Sequence, residues 1–341
     1  MGVALPLGKL PTPLLARLLS DLPPPAGEVI LGPAIGEDAC ALDLPSGIVV
    51  ISTDPISLTS RDVGRHAVII NANDVAVTGV RPRWFLAAVL LPPGTTEAEV
   101  GSIFAGMRDA LSEAGITAVG GHTEVSAAVT QPIVVGQMLG VAEDLRIVST
   151  AGARPGDVVV QVGPAPVEGA AVLAAEAAAH LGALDPAVLR AAASGIENPG
   201  ISVVDAALQA AALGATAMHD LTEGGLAAGL HEVAAASGVR LRLGSGGPLW
   251  FDAGVAVCRA LGADPWATLA SGSLLAAFDP AAAAGAVETL RSAGHAASAI
   301  AVAEQGTGVY GDDGLPLGWP ERDEVARVLE ELARQDRTGR S

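Results

Sequence analysis

Residues 65–79 read RHAVIINANDVAVTG. Val68, Ile69, Val75 and Ala76 fall at helical spacing and Gly79 stands where a helix would stop, so the stretch predicts a helix over Arg65 to Thr78. Asn71 and Asp74 then lie three residues apart on one helical face. On a solvated helix such a pair would mean little, but here the neighbours are so apolar that it reads as a buried polar stripe lining a site. Four further islands of the same kind interrupt hydrophobic runs: Gly36-Glu37-Asp38, Ser52-Thr53-Asp54, Gly120-Gly121-His122-Thr123-Glu124 and His219-Asp220-Leu221-Thr222-Glu223-Gly224-Gly225. Each follows or breaks an apolar segment, where folding would bring its polar groups to one cleft. Hard cations and phosphates are held in that way.

Around these islands the first half of the chain alternates strand and helix. Gly47 to Thr53, Trp84 to Leu91 and Ile133 to Met138 read as buried strands. A second helix is signalled over Glu97 to Ala114, with Thr96 and Glu99 as a capping box, an apolar stripe of Val100, Phe104, Met107 and Leu111, and Gly115 as the stop. The Gly/Pro-rich turn at 151–157 leads into a strand over Val158 to Val162 and marks a domain boundary. Beyond it, helices are expected near 167–181, 204–213, 224–237, 254–261 and 281–293, and strands near 239–243, 273–278 and 298–303. A last helix is expected over about 321–335. The reading is therefore an α/β protein with an N-terminal domain over 1–150, a C-terminal domain over 151–320, and a final helix and tail over 321–341.

Bulk properties narrow the function classes. Half of the 341 residues are apolar, enough for full cores in two domains. No apolar run reaches the length needed to cross a bilayer, and the N-terminus lacks the order of a secretory signal, so a cytoplasmic protein is expected. A net charge of −18 repels nucleic-acid backbones and anionic lipid, and neither is expected as a partner. A polyphosphate would meet the same repulsion unless divalent cations stood between it and the carboxylates, as Mg²⁺ commonly does. Cys40 and Cys258 cannot form a disulfide framework and read as small hydrophobes.

The islands suit that chemistry. Mg²⁺ takes one or two carboxylates plus phosphate oxygens and water, so scattered single aspartates such as Asp38, Asp54, Asp74 and Asp220, flanked by small residues, are what it needs. Singly, each could be a cap or a turn residue. Gly120 and Gly121 leave backbone N–H groups open to phosphate oxygens. The His219–Gly225 island opens a helix, where anions are favoured; Asp220 and Glu223 could share a cation there, and Thr222 could cap the helix or touch a phosphate. His122 and His219 are the histidines inside islands and candidates for a general base. Lys9 is the only lysine among 19 basic residues, and its compact charge fits a phosphate-facing slot that a guanidinium would not.

Taken in order, these islands resemble the superfamily of aminoimidazole ribonucleotide synthetase, which includes the hydrogenase maturation protein that makes thiocyanate from a carbamoylated cysteine, selenophosphate synthetase, thiamine-monophosphate kinase and formylglycinamidine synthetase. The resemblance runs over about residues 30–310. Asp38 in GEDAC is similar to the second acidic residue of the family's Gly-Asp-Asp-Ala loop, Asp54 to its Thr-Asp, and Asp74 to its Asn-Asp helix motif, with Gly79 and Pro82 in their usual places. Gly120-Gly121 resembles the nucleotide-contacting glycines, followed by His122 as in selenophosphate synthetase rather than by aspartate. Met218 to Leu226 and the run Leu261 to Pro265 with Ser271-Gly272 resemble the hydrogenase maturation branch. That branch works on a C-terminal cysteine, whereas this sequence ends Asp336-Arg337-Thr338-Gly339-Arg340-Ser341, so its specific reaction is not implied.

The resemblance implies a two-domain α/β (PurM-like) fold, with an N-terminal sheet that pairs across a homodimer and a C-terminal α/β domain covering it. It implies ATP and Mg²⁺ as cofactors: Asp38, Asp54, Asp74, Asp220 and Glu223 toward the metal, Gly36, Asn71, Gly120, Gly121, Thr123 and Thr222 toward the nucleotide, and Lys9 and His122 toward the chemistry. The activity expected is phosphorylation of an amide, carbonyl or other oxygen of a small or protein-borne substrate. Alternatives are a nucleotide-binding regulator or maturation partner without turnover, and a small-molecule kinase like the thiamine-monophosphate branch.

Overall fold

The structure is a computed structural model that describes residues 12–13, 29–31, 34–37, 39–45, 47–57, 62–142, 145–244 and 247–338. Lys9 and Asp38 lie outside the described residues. The chain divides into two compact units, one holding Glu37–Ile147 together with 24–33, the other holding Val148–Ser341 together with 1–23 and Ala34–Gly36.

The first unit is a six-stranded sheet in the order β1-β2-β3-β6-β4-β5, with β1 Val29–Leu31, β2 Ala39–Leu44, β3 Gly47–Ile56, β4 Pro82–Leu91, β5 Thr117–Val125 and β6 Ile133–Ala142. Its pairs are antiparallel except β4 with β5, which run parallel. Helix α1, Val63–Ala76, packs on β3 and β6 and against α2, Glu97–Ala114. Small residues allow that approach. A Cβ on Gly64 would run into the Ile103 carbonyl of α2, and one on Gly106 would lie 3.2 Å from the Arg65 amide. Along β6, a Cβ on Gly136 would strike the Asn71 side chain and one on Gly140 would lie 2.6 Å from the Arg81 carbonyl oxygen. The buried face of α1 is what the opening stretch predicts, although the helix begins two residues earlier; Asn71, Asn73 and Asp74 are all buried. The second helix starts with the expected capping box, Thr96 and Glu99 each satisfying the other's backbone N–H, and Gly115 ends it at φ 66°.

The second unit is a six-stranded sheet in the order β12-β9-β11-β7-β10-β8, antiparallel but for β12 with β9. Its strands are β7 Val158–Val162, β8 Ala217–Asp220, β9 Arg240–Leu243, β10 Leu274–Phe278, β11 Ala297–Glu304 and β12 Gly308–Tyr310. The helices are α3 Glu168–Glu176, α4 Pro186–Ala193, α5 Val204–Ala212, α6 Gly225–Ser237, α7 Asp252–Ala260, α8 Pro280–Ser292 and α9 Glu324–Thr338. Leu226, Leu230 and Val233 of α6 pack with Leu241, Leu275 and Ile300 of the sheet in one buried cluster. The helix expected over 167–181 is shorter. It stops at Glu176 and tightens into a 3-10 turn at Ala178–His180, with Leu181 turned into the core at 1% exposure. Cys258 is buried, which pushes its thiol up to about 11 and leaves it inert at neutral pH.

No helix among the described residues is long and apolar enough to cross a membrane.

Candidate functional site

In the first unit Asn71 meets the main chain of Asp54, and Asp74 lies on the same helix as Asn71. Asn71 is fully buried, and its amide brackets the backbone of Asp54: Asn71 Oδ1 accepts from the Asp54 N–H at 2.8 Å, while Nδ2 donates to the Asp54 carbonyl at 3.2 Å and to the Ala67 carbonyl at 2.9 Å. Ser52 Oγ donates to the Asn71 carbonyl at 3.0 Å, a second tie between β3 and α1. Asp74 follows Asn71 by three residues on the same helix and is 3% exposed. One asparagine thus ties the main chain of β3 at Asp54 to α1, the helix that also carries Asp74.

Gly120, Gly121, His122 and Thr123 lie on β5, the outer strand of the same sheet. The pairing register places Asp54 opposite Gly136, Gly136 opposite Ala87 and Ala87 opposite Gly121. This row crosses three strand spacings, about 14 Å. Partners directly opposite in a sheet share a face, so Asp54 and Gly121 stand on the same side, the side that carries α1. The two glycines differ. A Cβ on Gly121, at φ +152°, would fall 2.5 Å from the Ala87 carbonyl oxygen, so the pairing with β4 itself requires glycine there. A Cβ on Gly120 meets nothing within 4 Å, so the space beside it is open. Between β4–β5 and α2 lies a cavity of about 630 Å³ lined by Phe85, Val89, Phe104, Met107, Gly120 and His122 among others. His122 Nε2 approaches Glu124 Oε2 at 3.4 Å on the exposed strand.

In the second unit the His219–Gly225 island joins β8 to α6. Asp220 is 1% exposed at the end of β8, and His219 beside it donates from Nε2 to Glu232 Oε2 of α6 at 2.8 Å. A Cβ on Gly36, at φ +81°, would lie 3.4 Å from Glu232 Cβ, so the turn before Glu37 packs on the helix that holds His219. Gly224 and Gly225 adopt φ 79° and 61°, and a Cβ on Gly225 would press on the Trp266 and Thr268 backbone. Thr222 does not cap α6. Its carbonyl accepts from the Gly225 and Ala270 amides instead, and the N-cap is Gly224.

The acceptor for Gly224 comes from a residue that motif reading passes over. Asp323, 4% exposed, takes the Gly224 N–H at 2.8 Å and the Val325 N–H at 2.7 Å, capping α9 and anchoring the island at once. Burial pushes its carboxyl up to about 7; hydrogen bonds from Gly224 and Val325 oppose this, and the neighbouring Glu223 charge adds to it. Close by, His231 stacks on Trp319 at 5.0 Å and donates from Nε2 to the Leu317 carbonyl at 3.0 Å, with burial holding its pKa down.

The donors assembled around Asn71, and those of the island, are oxygen ligands of the kind a hard cation accepts. Among the described residues, no three His, Cys, Asp or Glu side chains gather as a metal-holding group.

Sequence and structure comparisons place these features among known proteins. The family model described as "AIR synthase related protein, N-terminal domain" matches residues 36–142, and its C-terminal counterpart matches residues 154–313. The chain is 32% identical over 269 residues to the carbamoyl dehydratase HypE of Rhodobacter capsulatus, covering 77% of this chain and 76% of that protein. It is also 32% identical over 259 residues to the thiamine-monophosphate kinase of Mycobacterium tuberculosis, covering 72% of each. Among solved structures, the hydrogenase maturation protein HypE in complex with ATP superposes with a TM-score of 0.69 at 23% identity, over 92% of this chain and 96% of that one.

Proposed function

The chain belongs to the AIR synthase-related family, and on that premise we propose that it is an ATP- and Mg²⁺-dependent enzyme that phosphorylates an oxygen of a small or protein-borne acceptor, turning that oxygen into a leaving group. The observation that carries the proposal is the hold of Asn71 on the main chain of Asp54, on the sheet face that also carries Gly121, with Asp74 buried three residues further along the Asn71 helix. An extended nucleotide spans the interval from the glycines to the carboxylates. Its nucleoside end would take the 630 Å³ cavity beside Gly120 and Thr123, and its phosphates would be neutralised through Mg²⁺ by Asp54 and Asp74. When bound, Mg²⁺ supplies positive charge to the transferring phosphoryl group. The protein's own part is positioning. Asn71 fixes the main chain of Asp54, and Gly120 leaves space for a ligand beside β5. On the second unit, taken by itself, Asp220, Thr222 and Glu223 are a separate set of candidate oxygen donors, and the family resemblance adds Asp38, Gly36, His122 and Lys9 as candidates.

Two relatives of equal identity, a dehydratase and a kinase, support the shared first step, phosphorylation of an oxygen, more than either final product. The kinase relative favours transfer onto a stable product as the second reading. We assign the working form as a homodimer in the cytoplasm. The outer strand β5 is exposed at all nine of its residues, with Val119 at 54% and Val125 at 61%, and such an edge invites a second copy.

The test is ADP release by purified protein with Mg²⁺ and ATP. Slow release that candidate acceptors stimulate, and that Asp74→Asn abolishes without loss of the folded state, is expected. Binding of ATP with no consumption under any acceptor would replace the enzyme with a regulator.

A further inference from the structure

The chain has only nine aromatic residues, four Trp, four Phe and one Tyr. Two of the tryptophans meet in the second unit: Trp250 and Trp266 are T-shaped, with ring centroids 5.1 Å apart and planes at 82°, and the Trp266 backbone packs beside Gly225. Trp266 in turn lines a cavity of about 340 Å³ with buried Leu243 and Ile300, half-buried Leu317, and the exposed carboxylates of Asp312 and Asp313. That volume suits a small organic molecule. None of the described residues that line it is basic.

Its walls are held in place. Gln161, fully buried on β7, accepts from the Leu249 N–H at 2.9 Å and donates to the Leu249 carbonyl at 3.0 Å, pinning the segment between Pro248 and Trp250. Opposite it, the turn after β12 is closed by Gly311 N–H to the Leu315 carbonyl at 2.8 Å, by Leu317 N–H to the Val309 carbonyl at 2.9 Å, and by Leu315 N–H to Asp313 Oδ1 at 2.9 Å.

Through the register Asp220–Leu274–Val162–Ala297 and the β11–β9 pairing, the cavity opens at the sheet end that carries Asp220, but on the opposite edge. Four strand spacings separate β8 from β9, about 19 Å. Asp220 itself thus stands across the sheet from the cavity, while the Trp266 backbone adjoins the glycine end of its island.

We propose that this cavity is a binding site for a small organic cation, an ammonium or guanidinium group carried on an apolar body. The apolar body fits Leu243, Ile300 and Leu317. The charge is met by the Trp266 face and by the two carboxylates at the mouth, the pairing of ring and acid by which organic cations are recognised. The same carboxylates repel an anion of identical shape.

The experiment titrates the full chain, without nucleotide, with benzyltrimethylammonium and in parallel with benzenesulfonate, following heat by calorimetry. Saturable binding of the cation at millimolar concentration or below, no binding of the anion, and a loss of affinity of roughly five- to tenfold in Asp312→Arg are expected. Asp312 is exposed, so the variant keeps its fold; Trp266→Leu, checked by circular dichroism, removes the ring and should weaken the cation again. Equal binding of both probes, no binding of the cation, or an Asp312→Arg protein that binds it as well as the parent would each overturn the site. Because no ATP is present, failure here is separate from failure of the ATP-dependent reading.

Discussion

Asp323 gives the sharpest quantitative test of how the second unit is held together. Its carboxyl moves from an ordinary 3.8 to about 7 because burial outweighs the backbone hydrogen bonds it receives. In the unfolded chain it ionises near 3.8, while in the folded protein it keeps its proton until about 7. A folded-state pKa above the unfolded value means that the contribution is fully present below pH 3.8 and is lost as pH rises through about 7. The interval corresponds to about 4 kcal/mol between the limits. Asp323→Asn removes the titration, and at any pH it also weakens one of two N–H contacts by about 1 kcal/mol. Urea unfolding of parent and variant at steps from pH 4 to 8 should therefore show the parent losing as much as about 4 kcal/mol relative to the variant across that range, so that the variant becomes the more stable toward pH 7, with the difference levelling beyond it. A difference between the two proteins that stays constant from pH 4 to 8 would refute the argument that desolvation controls this carboxyl. So would a parent that gains stability relative to the variant as pH rises.

The clamp on Asp54 predicts a coupled pair. Asn71→Ala should destabilise the protein by about 2–4 kcal/mol, by leaving buried main-chain groups without their partner, and Gly136→Ala should cost about 1–3 kcal/mol by displacing the same amide. The double variant should cost clearly less than the sum, and strict additivity in urea melts would show the two positions to be independent. For the exposed edge, Val119→Asp should shift the elution of the protein toward monomer by placing a charge on each side of the proposed contact, with monomer stability little changed; an unchanged dimer would remove β5 from the interface.

Most of the fold was legible because the local signals agreed with the tertiary outcome. The capping box at Thr96, the stop at Gly115 and the β-branched runs at 47–56 and 158–162 each encode their element within a few residues, and the structure has them there. Helix α4 was passed over although Asp185 caps it and Pro186 stands at its first turn, a legible pair masked by the alanine-rich surroundings. The break after Glu176 had no such marker. Alanine carries the same propensity on both sides of it, and the turn is set by where Leu181 finds the core.

The candidate site divides along the same physical line. That Asn71 and Asp74 share a buried face follows from helical spacing and the apolar neighbours, and both are buried as that reading requires. That the Asn71 amide closes on the backbone of Asp54 does not follow, since it depends on Gly136 of a third element leaving room for it. Asp323 is the extreme case. As the residue before a charged helix it looks like an ordinary N-cap, and it is one, for Val325. Its second oxygen serves Gly224, 99 residues earlier, because α6 begins on two left-handed glycines and has no side chain of its own to accept that amide. An island written as HDLTEGG thus keeps its glycines for conformation and borrows its cap from the end of the domain.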